Sequence, residues 1–202
     1  MVDHASLTGA ALHEPKGIDA AAANTVYIAD GAGSGSWSTL THSNLPSGSL
    51  VGFSNTQSSS LISGSTVMVI DDTIPQNTEG SEVLTVTHTP KASGNKLLIR
   101  FVGYMSTVNY GADYYYAAAL FKDSTADALA ATYGLSRSDV GHAGNIFLEH
   151  VYTTTGTSAI TFKIRAGMSA GGSWAFNAQQ FAVTRAFGGV SATSLSVQEF
   201  KA

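Results

Sequence analysis

From residue 66 onward the chain alternates short β-branched and aromatic runs with clusters of Gly, Ser, Asn, Asp and Thr. Such runs predict β-strands, because branched and aromatic side chains suit a pleated, half-buried surface while the turn residues supply the reversals. The runs fall at residues 66–71, 82–88, 96–105, 114–121, 146–153, 159–165, 175–185 and 193–200. Short strands so spaced predict an all-β protein, an antiparallel β-sandwich of jelly-roll type. One helical signal interrupts them, "STADALAA", with Ser124 placed to cap and Asp127 in the first turn.

The faces of these strands differ. In "AITFKIRAG" Ile160, Phe162 and Ile164 alternate with Thr161, Lys163 and Arg165, the pattern of a strand with one dry and one wet side. In "LLIRFVGYM" both faces are apolar, Leu97, Ile99 and Phe101 on one and Leu98, Val102 and Tyr104 on the other. "YYYAAALF" behaves likewise. One face of each can line the sandwich core, and the second needs a cover, either loops of the same chain or copies of it in a symmetric oligomer. Leu98, Val102, Tyr104 and Tyr115 are therefore the candidate subunit interface.

Residues 1–45 have a different texture: polar, Gly and Ala residues break every apolar run, so the segment reads as an arm that must lie on something else. Residues 46–65, "PSGSLVGFSNTQSSSLISGS", read as a Ser/Gly-rich connector, and residues 66–202 as the head domain.

Composition narrows the function. Hydrophobic residues make up 44% of the 202, enough for a core, but charged residues only 12%, which suits much buried or shared surface. A formal net charge of −4 argues against a nucleic-acid partner, which requires clustered Lys and Arg. The absence of cysteine excludes disulfides and thiolate chemistry. The start "MVDHASLTGA" has no signal-peptide pattern and no run reaches membrane-spanning length, so assembly in a cytoplasm without membrane insertion is expected.

The glycine run in "VYIADGAGSGSW" invites a nucleotide-binding reading, which fails. A dinucleotide fingerprint needs a third glycine opening a helix; that position is Ser36 or Ser38, and Pro46 follows within a segment lacking helical periodicity. Nor does a Gly-Lys-Ser/Thr close the run as a phosphate-binding loop requires.

Catalytic patterns are sparse. "HAGNIFLEH" places Glu149 and His150 on opposite faces of a strand, so these two and His142 do not form a natural metal set. "DDTIPQNTEGSE" gathers Asp71, Asp72, Glu79 and Glu82, a source of paired acids for glycoside hydrolysis but also an ordinary turn composition. No metal, cofactor or catalytic residue is assigned. The tyrosines 104, 110 and 114–116, with Trp174, suit either subunit contacts or sugar faces.

In order along the head, "IPQNTEG", "TPKASGNKLLI", "AALFKDSTADALAA", "TTTGTSAITFKIRAG" and "FGGVSATSLSVQEF" resemble the C-terminal domain of tailed-bacteriophage fibre proteins. That resemblance spans about residues 67–200 and implies a trimeric jelly-roll head similar to the tumour-necrosis-factor fold. "HASLTGAALHEPKG" followed by "NTVYIADGAGSGSW" is similar to the N-terminal peptide of phage head-fibre and capsid-decoration proteins. By it, His4, Leu7, Thr8, Gly9, His13, Glu14, Pro15, Lys16 and Gly17 would dock on the particle. "VYIA" would pair with a neighbouring chain or with the particle, and Gly31, Gly33 and Gly35 would form a hinge toward the head. No coiled-coil heptads or long repeats separate arm from head, unlike a long tail fibre.

The resulting expectation is a structural protein of the virion surface, without enzymatic activity: a homotrimer held by other virion proteins of capsid or tail, stabilising the particle, contacting host glycans, or both. A tail-fibre receptor-binding protein is the neighbouring alternative, and a polysaccharide-degrading enzyme using Asp71, Glu79 or Glu82 the more distant one. Loops at the outward end of a rigid sandwich carry recognition groups, so Tyr110 and Asp113 in "STVNYGADYYY" and Trp174 in "AGMSAGGSWAF" are the candidate glycan contacts.

Overall fold

The computed structural model describes residues 20–32, 34–107, 114–136, 143–179 and 184–202. Two compact units divide the chain, Met1–Pro46 and Ser47–Ala202.

In the first unit β1 (Thr25–Ala29) pairs antiparallel with β2 (Gly35–Thr39), Tyr27 lying opposite Trp37. Their rings meet edge to face with centroids 5.6 Å apart. Asp30 organises the turn: its carboxylate accepts from the Ala32 and Ser34 amides and its own amide donates to the Ser34 carbonyl. The two amide bonds hold the Asp30 carboxyl below its ordinary pKa. The strand expected to pair with another molecule has one edge already taken, by residues six to fourteen positions on in its own chain. Two of the three glycines expected to form a hinge have a place in the hairpin: Gly31 takes the left-handed φ of +76°, and a side chain on Gly35 would strike the Ile28 carbonyl. Gly33 lies outside the described residues.

The second unit is all-β. One sheet has the order β5 (Ser81–His88), β10 (Ile160–Met168), β7 (Tyr114–Lys122), β8 (Ala130–Ser136), every pair antiparallel. The other is built on β6 (Lys96–Thr107), with β9 (Ala143–Thr153) along one edge. On the other edge lie β12 (Thr193–Phe200), continued by β3 (Leu50–Ser58), and then β11 (Trp174–Phe176), continued by β4 (Ile62–Gly64). Between the sheets Leu97, Ile99, Phe101, Leu120, Phe162, Ile164, Leu195 and Val197 are fully buried, each on the apolar face that strand alternation assigns.

Four expectations change. Residues 46–65 are not a connector: β3 pairs with β12 over its whole length, and β4 pairs with β11. Residues 66–71 make one bridge, Val67 to Met168, instead of a strand. "STADALAA" is not helical; a turn after Lys122 leads into β8, whose Ala130 and Ala131 sit opposite Leu120 and Ala119. Among its described residues the run 175–185 contributes β11 and then an Ala178–Arg185 bridge.

The two strands with two apolar faces are treated differently. The outer face of β7 is covered from within: Met68, with Ile70 and Ala128, packs on Ala117, Ala119 and Phe121. Arg165 fixes the covering segment by donating to the carbonyls of Glu79 and Gly80, while Glu79 accepts from the Val69 and Gln76 amides. The outer face of β6 has no such cover among the described residues, with Val102 46% and Tyr104 36% exposed.

Candidate functional site

Antiparallel register sets the outer face of the β6–β9 pair. Leu98 stands opposite Val151, Arg100 opposite Glu149, Val102 opposite Phe147 and Tyr104 opposite Asn145. Phe147 is 55% and Val151 56% exposed, so an apolar strip runs along both strands. Within it the Arg100 Nε and Glu149 Oε2 pair at 2.6 Å, with both side chains partly exposed. The sequence singled out Leu98, Val102 and Tyr104; the structure adds Phe147 and Val151, which belonged to a predicted strand whose faces were not assigned. Tyr115 does not join them. It belongs to β7 in the other sheet, where its ring meets Tyr133 edge to face beside exposed Leu135.

Where this strip ends, Tyr104 and Asn145 form one wall of a cleft of about 600 Å³. Ala178, Gln179, Ala186, Phe187 and Ser191, from the segment joining β11 to β12, supply the rest. Asn177 anchors that segment. It is buried in the left-handed region at φ 60°, donates its side-chain amide to the Ser58 and Ser60 carbonyls, and accepts from the Thr193 hydroxyl. Its backbone amide donates to the Tyr104 carbonyl, tying the two walls together. Phe187 follows at φ 47°, ψ 38°, with Gly188 and Gly189 also at positive φ, and its side chain is 82% exposed. A bulky residue rarely takes that conformation, and here no core contact compensates it.

Trp174 must be withdrawn as a glycan contact. Its side chain is fully buried, edge to face with Phe176, and its buried Nε1 has no hydrogen-bond partner among the described residues. The exposed aromatic ring of this region is instead Phe187, in "AFGG". Tyr110, Asp113 and His142 lie outside the described residues, as do His4, Leu7, Thr8, Gly9, His13, Glu14, Pro15, Lys16 and Gly17. Glu149 and His150 do take opposite faces, Glu149 engaged by Arg100 and His150 shielded enough for burial to lower its pKa.

The acids of "DDTIPQNTEGSE" serve local structure. Asp71 accepts from the amide and hydroxyl of Thr73, which lowers its carboxyl pKa. Glu79 holds the covering segment as described, and Glu82 accepts from the Thr85 hydroxyl. Asp71 and Asp72 line a shallow cleft of about 420 Å³ with no other acid among its described lining residues.

A Ser–His–carboxylate chain that the sequence did not disclose joins the sheets. Ser54 Oγ lies 3.0 Å from His88 Nδ1, and His88 Nε2 lies 3.0 Å from Glu199 Oε2. Glu199 also accepts from the Lys91 amide at 2.8 Å and the Asn95 side-chain amide at 2.6 Å. His88 and Glu199 are buried, and in the interior these bonds satisfy one another's polar groups.

No family model matches the chain, and no curated protein matches it. Among solved structures it is similar to the EclA C-terminal domain, a sugar-binding protein, at 15% identity and TM-score 0.31, covering 59% of this chain and 76% of that one. It is also similar to dimeric latent PorU from Porphyromonas gingivalis, at 8% identity and TM-score 0.34, over 77% of this chain and 14% of that one. A third likeness, to infectious bursal disease virus, has 12% identity and TM-score 0.31, over 86% of this chain and 45% of that one.

Proposed function

We propose that this chain is a structural virion protein, a short fibre or capsid-decoration protein of a tailed phage. Its N-terminal arm docks on the particle, and its β-sandwich head associates as a trimer and faces outward. One observation carries the reading: Leu98 with Val151 and Val102 with Phe147 stand partly exposed on either side of the Arg100–Glu149 ion pair, on a sheet face with no cover among the described residues, while the β7 face is covered over Ala117, Ala119 and Phe121. Strips of this kind mark association surfaces, and a symmetric oligomer of identical heads supplies the cover. The first unit adds support, since a two-stranded hairpin with Val26 and Leu40 exposed is only marginally stable in water and gains from lying on another surface.

The test is light scattering on the full chain over a range of concentrations, beside a Val102→Glu/Phe147→Glu double variant. Both replaced side chains are about half exposed, so the variant keeps the wild-type circular dichroism. The wild type is expected as a trimer and the variant as a monomer. A wild type that stays monomeric throughout overturns the reading. Incubation with host surface polysaccharide checks the absence of hydrolysis, because an adhesive protein releases no reducing ends.

A further inference from the structure

We propose that the cleft between Tyr104 and Phe187 binds an uncharged sugar ring. It rests on the reading above only for the source of the sugar, a neutral polysaccharide of the host surface. Three observations carry it.

The first is the chemistry of the lining. Among the described residues it contains no Asp, Glu, Lys, Arg or His. It offers two aromatic rings, the side-chain amides of Asn145 and Gln179, and the Ser191 hydroxyl. A pyranose has an apolar C–H face that packs on an aromatic ring, and a rim of hydroxyls that both donate and accept. Amide and hydroxyl side chains likewise donate and accept, so they match such a rim, whereas a charged ligand would find no counter-ion among these lining residues. None of those three side chains is committed to a partner among the described residues. A volume of about 600 Å³ also falls in the usual range of small-ligand sites.

The second is Phe187. Its backbone is held in the left-handed region while its ring remains 82% exposed at the cleft. The arrangement is maintained from below, because Gly189 lets the Arg185 guanidinium pack against the turn: a Cβ there would lie 2.6 Å from Arg185 Cζ. Presentation of the ring to a ligand accounts for a strained conformation that brings the core nothing.

The third is position. The chain enters the sandwich at β3, where Leu50 pairs with Phe200 and Phe200 with Lys96. Tyr104 and Asn145 lie at the opposite end of the same sheet, about eight residues or roughly 27 Å further along β6. The cleft therefore lies at the end of the head's sheet remote from the point where β3 begins.

Saturation-transfer NMR and array binding on the full chain test the site, with neutral glucose-, galactose- and N-acetylglucosamine-containing oligosaccharides against sialylated and uronate-containing ones. Phe187→Gly removes the ring while favouring the observed backbone, and Gln179→Ala removes one amide. Each is expected to weaken binding of a neutral oligosaccharide at least tenfold, with unchanged circular dichroism and unchanged association state; Phe187→Tyr is expected to retain binding. Absence of binding to all neutral sugars, binding only to acidic ones, or binding indifferent to both variants overturns the inference. If the wild type binds while remaining monomeric, the cleft stands and the trimeric reading falls; if it is trimeric and binds no neutral sugar, the reverse holds.

Discussion

Removing the Glu199 carboxylate tests the inter-sheet network most directly. The group is fully buried and accepts from three donors, Asn95 Nδ2, the Lys91 amide and His88 Nε2, that come from the β5 end and the β5–β6 connection. Gly52 on β3 makes room, since a Cβ there would lie 2.8 Å from Glu199 Oε2. Glu199→Ala strands all three donors and opens a void. Three hydrogen bonds to a charged acceptor at about 1.5–3 kcal/mol each overstate the loss, because the carboxylate's own burial cost disappears with it. Deleting one partner of a buried pair costs about 3–5 kcal/mol, the value expected here, or a fall of about 6–20 °C in Tm for a domain of this size. Glu199→Gln should cost only about 1–2 kcal/mol: its carbonyl can take the Oε1 bonds, and its amide can donate to His88 once that ring adopts the other tautomer and donates to Ser54. Burial pushes the Glu199 carboxyl up, but the bonds from Asn95, His88 and Lys91 outweigh it and leave the pKa lowered. Its contribution is therefore present above the ordinary glutamate pKa and lost as pH falls through the lower folded-state value. Urea denaturation at neutral and acid pH measures both effects, with the wild-type advantage over Glu199→Gln narrowing in acid. A loss under about 1 kcal/mol for Glu199→Ala, or equal losses for Ala and Gln, would refute the account.

Three further outcomes follow from the same geometry. Gly64→Ala should destabilise by about 1–3 kcal/mol in denaturant melts, because its Cβ would lie 2.5 Å from Trp174 Cζ2 inside a packed core. Trp174→Phe removes a partnerless N–H along with ring volume, so it should cost about 1–2 kcal/mol against about 3–5 for Trp174→Ala, read by the same melts. Deleting residues 1–45 should leave the head's circular dichroism and melting intact while abolishing co-sedimentation with particles; normal occupancy of the truncated protein would place the anchor elsewhere.

Alternation along single strands was legible in the sequence because it is a local property. In β10 each apolar residue of "ITFKI" is buried and each polar one is not, as the period of two requires. The two-faced character of β6 and β7 was equally visible. What covered the second face was not: Met68 reaches Ala117 from 49 residues away, and only the tertiary path decides that the β7 face is covered from Ala117 to Phe121 while the β6 face has no cover among the described residues. β3 left no alternating apolar signal, since its more buried positions include Gly52, Ser54 and Thr56, and Gly52 and Ser54 meet the His88–Glu199 network contributed by other strands. "STADALAA" carries helix propensity, yet pairing of Ala130 and Ala131 with β7 outweighs the small per-residue preference. The same holds for two aromatics near Gly-Gly pairs, Trp174 after Gly171-Gly172-Ser173 and Phe187 before Gly188-Gly189. Trp174 enters the core because β11 pairs with both β4 and β6, and Phe187 stays outside because Asn177 holds its loop in a left-handed turn beyond the sheet.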